Sequence, residues 1–368
     1  MLNRDETDAR NLHSPCNPGG NPPAVRHGHD CAPMNPLSDL LAGLGPDQVW
    51  VYLALFLAAS WLMIWRLDAL LDHGLEGTAL GTLVMPYCSG LGNLLFVAII
   101  AARRGPAQEV LTNCLVNNVT NLTVVLGLPA LFWGLDLNGG GKAQKGRARK
   151  KAAAAETAQQ LSRLSLLLTL AAAIFFAAAT WVLGRDGKLD ANDGLVLVGL
   201  FLFWQCFQVF DVLKHNVRRR RSFRPMFYVD LVVLLVGAYA LYVSLDWLVA
   251  WLSGRSSGFI SAQHLGWLSG WLMVLPNALF AFYYAATRRA DIAYASQIGD
   301  GHVCIPLCIG LSAMIAPLTV TPFFIQGLAF LIGAALLHVL GVVLGRGLPR
   351  WMGWPLLAAY AVFVSLGL

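Results

Sequence analysis

Residues 92–131 read GNLLFVAIIAARRGPAQEVLTNCLVNNVTNLTVVLGLPAL, and residues 276–314 read PNALFAFYYAATRRADIAYASQIGDGHVCIPLCIGLSAM. The two stretches align almost without gaps, and Asn93 pairs with Asn277 at an offset of 184. Three further pairs share an offset of 183: Asn113 with Ser296, Asn117 with Asp300 and Gly127 with Gly310. A near-constant offset over about 40 residues predicts an internal duplication. The alternative is a chance likeness between helices that use Asn and small residues to pack.

The composition around these stretches is that of a membrane protein. Of 368 residues, 57% are hydrophobic and 12% are charged, whereas a soluble domain carries about 25% charge. The net charge of +6 collects in a few short loops. Anionic lipid headgroups explain such loops better than nucleic acid does. We therefore expect a lipid bilayer as partner and no nucleic acid.

Apolar runs of about 18 to 28 residues follow one another, each long enough to cross a hydrocarbon core. They lie near residues 47–67, 78–102, 108–135, 161–184, 194–213, 226–253, 264–287, 295–316, 323–345 and 351–368. Because lipid offers no partner for backbone polar groups, each run must be helical. The sequence predicts an all-α integral membrane protein with about ten transmembrane helices.

The basic loops predict the orientation. One follows the third run and contains Lys142, Lys145, Arg147, Arg149, Lys150 and Lys151. The other follows the fifth run and contains Lys214, Arg218, Arg219, Arg220, Arg221 and Arg224. Loops rich in Lys and Arg remain in the cytoplasm, so loops 142–151 and 214–224 of this cell-membrane protein are predicted to be cytoplasmic and both termini outside. Arg103 and Arg104 fall outside and depart from the rule.

Four segments follow from this layout. Residues 1–45 are predicted to be a disordered tail, 46–213 a first five-helix repeat, 214–225 a basic cytoplasmic loop and 226–368 a second five-helix repeat. The tail contains His13, His27 and His29, which could touch a metal, but an unselected or mis-annotated leader is the preferred interpretation, and Met34 could be the true start. Because each repeat has an odd number of spans, the second enters the membrane from the opposite face, an arrangement typical of secondary transporters.

Polar residues within apolar spans indicate where a transported solute would lie. In the third span they are Asn113, Asn117 and Asn121, at positions i, i+4 and i+8 on one helix face. In the eighth span they are Ser296, Asp300 and Cys304. Carboxamide oxygens suit hard cations such as Na⁺ or Ca²⁺. Asp300 can hold a cation or take up a proton; the alternative is a structural hydrogen bond.

The predicted spans also contain helix breakers, a histidine and two further aspartates. Helix breakers at Gly90, Gly92 and Pro276 predict interrupted helices that expose backbone groups to an ion, with Asn93 and Asn277 facing each other. His302 is interpreted as a packing residue, because it lies two positions from Asp300 on another helix face. Asp211 and Asp230 are interpreted as interfacial charges paired with arginines.

The two stretches resemble the α-repeats of the sodium/calcium exchanger superfamily, whose pattern is approximately G-T-S-x-P-E, a basic turn with D, G-N-x-x-G-S-N-x-x-N and V-L-G. The matching residues are Arg103–Gly105, Thr112–Asn121 and Val125–Gly127 in the first copy, and Leu275–Asn277, Arg288, Arg289, Asp291, Ser296 and Gly299–Gly301 in the second. The positions of the family's paired ion-binding glutamates carry Asn93 and Asn277.

The resemblance implies a cation antiporter that exchanges Na⁺, H⁺ or Ca²⁺ by alternating access. The implied ion site contains Asn93, Asn113, Asn117, Asn277, Ser296 and Asp300, with Asp300, Asn117, Asn277 and Asn93 as metal ligands. The transported cation is the substrate, and no cofactor is expected. A non-transporting scaffold or regulator that kept the fold after losing the glutamates is the alternative. An enzyme is disfavoured, because the polar residues form no Ser/His/Asp set, HExxH motif or phosphate-binding glycine loop.

Overall fold

Helices make up most of the protein in this computed structural model, which describes residues 42–72, 85–137, 148–216, 225–345 and 347–368. Within that part of the chain a helix lies at each of the ten predicted positions. Eight of the ten are uninterrupted: α1 Gln48–Asp72, α2 Met85–Ala102, α5 Ala148–Leu183, α6 Ala191–Asn216, α7 Pro225–Ser253, α8 Leu265–Ala286, α11 Pro322–Gly345 and α12 Gly353–Gly367. Pro46–Leu368 forms one compact unit.

The other two, the third and the eighth, each contain a π-helical segment between two α-helices. We call each of these three-part helices a rod. The third rod comprises α3 Gln108–Thr120, π1 Asn121–Val125 and α4 Leu126–Trp133. The eighth comprises α9 Ala290–His302, π2 Val303–Cys308 and α10 Ile309–Ile315. Pro306 lies inside π2 and has no N–H to continue an α-helical ladder, which favours the wider turn there.

Seven helices of the described residues are long and apolar enough to cross a membrane. They are Gln108–Trp133, Arg163–Asp186, Ala191–Phe210, Tyr228–Ser253, Ala262–Ala286, Ala290–Ile315 and Pro322–Gly345. The two π-containing rods are each 78% buried along their most apolar window, against 28% for Ala191–Phe210. The third and eighth rods are therefore the centre of the molecule, and the outer helices present apolar side chains to lipid.

Two short antiparallel strand pairs connect the ends of the rods. Strand β1 (Leu135–Asp136) pairs with β4 (Gly347–Leu348), and β2 (Lys188–Leu189) pairs with β3 (Leu318–Thr319). Short 3-10 turns occur at Ala42–Asp47, Gly184–Asp186, Ala262–His264 and Arg350–Met352. In each pair, one strand follows a central rod. The other strand lies between the last two helices of the other half of the chain.

Two pairs of glycines allow helices to cross closely. A Cβ on Gly194 of α6 would lie 2.5 Å from the Gly310 carbonyl oxygen of α10. A Cβ on Gly353 of α12 would lie 2.6 Å from the Gly127 carbonyl oxygen of α4. Since Gly127 and Gly310 are a pair in the sequence alignment, the same contact occurs in both halves.

The basic turns after α2 and α8 also have matching backbone structures. Arg104 and Arg288 are the two non-glycine residues of the described chain with positive φ, at 51° and 61°. In the first turn the Gly105 N–H donates to the Ile100 carbonyl at 2.8 Å, and in the second the Arg289 N–H donates to the Tyr284 carbonyl at 2.8 Å. Both helices thus end in the same left-handed cap.

Several charges lie near the helix ends. Asp230 accepts a hydrogen bond from Arg66 at 3.2 Å, which confirms its predicted pairing with an arginine. Arg103, which departs from the charge rule, pairs with Asp246 at 2.8 Å. Asp190 precedes α6, and the backbone N–H groups of Asp193 and Asn192 that donate to its carboxylate hold its pKa below the usual value.

The prediction of interrupted helices at Gly90, Gly92 and Pro276 is wrong. Helix α2 continues through both glycines, and α8 continues through Pro276. The glycines instead allow close packing: a Cβ on Gly90 would lie 2.9 Å from the Val303 side chain, and one on Gly92 would overlap Met273. Membrane helices tolerate Gly and Pro when neighbouring helices support them.

Three sequence predictions lie outside the described residues: the tail up to residue 41, most of the first basic loop, and residues 217–224 of the second. The side chain of Asp211 is outside them as well.

Candidate cation site

The Asp300 carboxylate is the centre of a buried polar cluster. It lies on α9 with 0% exposure, and one of its oxygens, Oδ2, accepts hydrogen bonds from three side-chain amides. The donors are Asn117 at 2.5 Å, Asn121 at 2.8 Å and Asn277 at 3.3 Å. The cluster thus joins α9 to α3, π1 and α8. Hydrogen bonds to a charged acceptor are about twice as strong as neutral ones, so three amides compensate much of the carboxylate's lost hydration.

A thiol lies on the other side of the carboxylate. The Cys304 thiol donates to Asp300 Oδ1 at 3.7 Å, and Asn117 Nδ2 lies 3.5 Å from the Cys304 sulfur. The thiols of Cys114 and Cys308 contact that of Cys304. Gly90 of α2 approaches the same oxygen, because a Cβ there would lie 3.2 Å from Asp300 Oδ1. Helix α2 therefore forms one wall of the site.

Asn113 and Ser296 lie one step from the carboxylate. Asn113 donates to the Ser269 hydroxyl at 3.0 Å, and the Ser296 hydroxyl donates to the Ala293 carbonyl at 3.1 Å. Gln297 donates to the Ser296 hydroxyl at 3.0 Å and to the Asn277 backbone carbonyl at 3.2 Å. Gln297 therefore connects Ser296 to the Asn277 backbone. Among the described residues, no hydrogen bond joins Asn113 or Ser296 directly to Asp300.

Several buried amide atoms at the site have no hydrogen-bond partner within the described chain. Both polar atoms of the Asn93 side chain are among them, although Asn93 is 0% exposed. The others are the side-chain oxygens of Asn113, Asn117, Asn121 and Gln297. A buried polar atom without a partner costs about 1–3 kcal/mol. Several acceptor oxygens near one carboxylate are the donor set that a hard cation prefers.

Apart from the Asp300 carboxylate, the candidate ligands of the cation are neutral side chains. Over the described residues no group of three or more His, Cys, Asp or Glu side chains is arranged to hold a metal ion. The Asp300 carboxylate is thus accompanied by carboxamides and the Cys304 thiol. Neutral carboxamides fit a weakly held, exchangeable cation better than a permanently bound metal.

Of the six predicted site residues, the hydrogen bonds bring together Asp300, Asn117 and Asn277. Sequence reasoning placed Asn121 and Cys304 on the polar helix faces but left both out of the site. It missed Gln297, whose signal is a buried amide next to Ser296 in an apolar span. His302 agrees with its interpretation: it donates to the Thr169 carbonyl at 2.9 Å and packs edge-on against Phe176 and Trp204.

A second buried histidine supports the π-helical turn beside the site. His338 of α11 donates from Nε2 to the Leu122 carbonyl of π1 at 2.7 Å. A π-turn leaves backbone carbonyls without their usual partners, and π-turns occur often at functional sites. The His338 contact satisfies one such carbonyl next to Asn121.

Comparison with known proteins agrees with this geometry. Residues 48–210 match the family model described as sodium/calcium exchanger protein. The matched residues run from α1 to α6 and make up 163 of the 368 residues of the chain. This likeness and the apolar helices indicate a multi-pass membrane protein. No curated protein matches it in sequence.

Solved structures of one exchanger share the fold of this chain. The sodium-calcium exchanger NCX_Mj soaked with 2.5 mM Na⁺ and 1 mM Sr²⁺ matches with a TM-score of 0.62 and 18% identity, covering 88% of this chain and 98% of that chain. The same exchanger soaked with zero Na⁺ and Ca²⁺ matches with a TM-score of 0.59, 18% identity and the same coverage. At this identity the likeness shows the fold alone.

Proposed function

We propose that the chain is a secondary active cation antiporter that exchanges Na⁺, H⁺ or Ca²⁺ by alternating access between two inverted five-helix halves. The observation that carries the proposal is the Asp300 carboxylate, buried between helices of both halves and surrounded by amide oxygens without partners. A buried acidic residue in a membrane span is costly and is typical of an ion or proton pathway. Asn93, Asn113, Asn117, Asn277 and Ser296 complete the proposed site.

Matching local structures support two related halves. Each half has a π-turn in its third helix and a left-handed basic turn after its second helix. The third helix of each half also crosses the fifth helix of the other half at a pair of glycines. Five spans per half is an odd number, so the halves of a duplicated chain would lie inverted in the membrane. Such halves supply the two related conformations that alternating access needs.

The test is flux in proteoliposomes that contain the purified full chain. We expect uptake of Na⁺ or Ca²⁺ that is driven by a gradient of the exchanged ion. Asp300→Asn should lower this flux at least about tenfold, a factor that corresponds to about 1.4 kcal/mol. Asp291→Asn is the matched control, because Asp291 is exposed on the same helix. Unchanged flux in Asp300→Asn would remove Asp300 from the mechanism.

The second candidate is a non-transporting scaffold or regulator that has retained this fold. The presence of Asn93 and Asn277 at the positions of the family's glutamates favours it. Absence of flux for every cation tested, together with a thermal stability that no cation changes, would support this function over transport.

A further inference from the structure

The charge within the site is that of one carboxylate. Among the described residues two acidic side chains are buried, Asp230 and Asp300. Asp230 forms an ion pair with Arg66 between α7 and α1. The hydrogen bonds of Asp300 come from neutral amides and a thiol. The site therefore offers a bound ion a single negative charge.

The remaining ligands are dipoles. Asn117 and Asn121 donate their N–H groups to Asp300 and keep their carbonyl oxygens without partners, so each amide stabilises the carboxylate and has an acceptor close to it. Asn93, Asn113 and Gln297 add further oxygens of the same kind. Carbonyl oxygens replace the hydration shell of an alkali cation without adding charge.

Charge balance then separates monovalent from divalent ions. A monovalent cation at Asp300 gives a neutral buried site. A divalent cation leaves one uncompensated positive charge in a low-dielectric interior, which costs several kcal/mol. Affinity of oxygen sites for Ca²⁺ rises with the number of charged ligands.

We propose that the site transports monovalent alkali cations, with Na⁺ as the test ion, and that it does not transport Ca²⁺. This inference rests on the proposed antiporter function and narrows its substrate class.

The experiment compares radioactive Na⁺ and Ca²⁺ uptake into proteoliposomes that contain the full chain. We expect vesicles loaded with unlabelled Na⁺ to take up labelled Na⁺ above the level of protein-free vesicles, and Ca²⁺ uptake to remain at that level. The double variant Asn93→Glu with Asn277→Glu adds two negative charges. We expect it to gain Ca²⁺ uptake of at least about tenfold over the natural chain.

The matched control is Asn93→Gln with Asn277→Gln, which lengthens both side chains without adding charge. We expect no gain of Ca²⁺ uptake, and equal gains in the two double variants would overturn the charge argument. Ca²⁺ uptake by the natural chain that equals Na⁺ uptake and is lost in Asp300→Asn would also overturn the inference.

A binding measurement separates this inference from the proposed function. If neither cation is transported, thermal unfolding of the detergent-purified chain still tests the site. Stabilisation by Na⁺ but not by Ca²⁺, lost in Asp300→Asn, would retain the monovalent site and reject transport. Stronger stabilisation by Ca²⁺, or no effect of either ion, would overturn the inference.

Discussion

Asn93 is a proposed site residue whose buried amide lowers the stability of the protein. Both polar atoms of its side chain are buried without a hydrogen-bond partner in the described chain, in a helix whose glycines pack against the eighth rod and α8. A side chain chosen for packing alone would be apolar there. Unpaired polar groups at functional positions are a known cost of activity, so the amide indicates a role in ion binding.

We predict that Asn93→Leu raises the stability of the protein and lowers its cation flux. Leu branches at the same atom as Asn, and the substitution removes two unpaired atoms, so the free energy of unfolding should rise by about 1–3 kcal/mol. Thermal unfolding in detergent and flux in proteoliposomes measure the two effects. Asn118→Leu is the control with the opposite sign, because Asn118 donates to the Cys114 carbonyl at 2.6 Å. A less stable Asn93→Leu protein would mean that the amide has a partner.

Asp300 and Asn117 could be predicted from the sequence, because a polar residue in an apolar span is costly and the two lie 183 residues apart in matching positions. The sequence did not show that Gln297 bonds Ser296 and Asn277, or that the Asn93 amide has no hydrogen-bond partner in the described chain. A sequence shows which residues share a helix face, but the partner of each amide depends on how neighbouring helices rotate and cross. The wider π-turns change that rotation just beyond Asn117 and Asp300.

At the scale of elements, helix positions could be predicted and helix geometry could not. The length and hydropathy of each run determine a membrane helix, and a helix lies at each predicted position in the described chain. The glycine and proline residues of α2 and α8 gave a wrong prediction of broken helices, because their effect depends on packing. The π-turns, which depend on Pro306 and on the His338 contact, have no comparable pattern in the sequence.

We predict that Gly194→Ala and Gly353→Ala destabilise the protein while Gly199→Ala does not. The first two place a Cβ 2.5 Å and 2.6 Å from backbone carbonyl oxygens, which cannot move without separating the helices. Overpacking of this kind costs about 1–3 kcal/mol. Gly199 lies on α6 with no atom within 4 Å of an added Cβ, so Ala there should be neutral or stabilising by about 0.5–1 kcal/mol. Thermal unfolding of the three variants measures the difference, and equal effects would contradict the proposed helix crossings.

At the scale of the whole molecule, we propose a ten-span threading of the chain through the membrane, and long-range contacts support this proposal. Strands can pair only on one side of a membrane. The pair β1–β4 joins two loops that the threading places in the cytoplasm, and β2–β3 joins two loops that it places outside. Gln108 donates to the Thr319 carbonyl at 2.6 Å, and the threading places both residues outside. Arg163 donates to the Val343 carbonyl at 2.5 Å, and the threading places both residues on the cytoplasmic side. Four separate contacts thus connect segments separated by even numbers of spans.

We predict that the two halves have opposite orientations, which reporter fusions can measure in cells. A fluorescent protein inserted in loop 214–224 should fluoresce, since this basic loop is expected in the cytoplasm. Alkaline phosphatase inserted between α7 and α8, or fused after Leu368, should be active, because the threading places both positions outside. Fusions after Asp136 and after Thr319 are the decisive comparison, since they follow equivalent helices of the two halves. They should report opposite sides, and the same side for both would reject the inverted repeat.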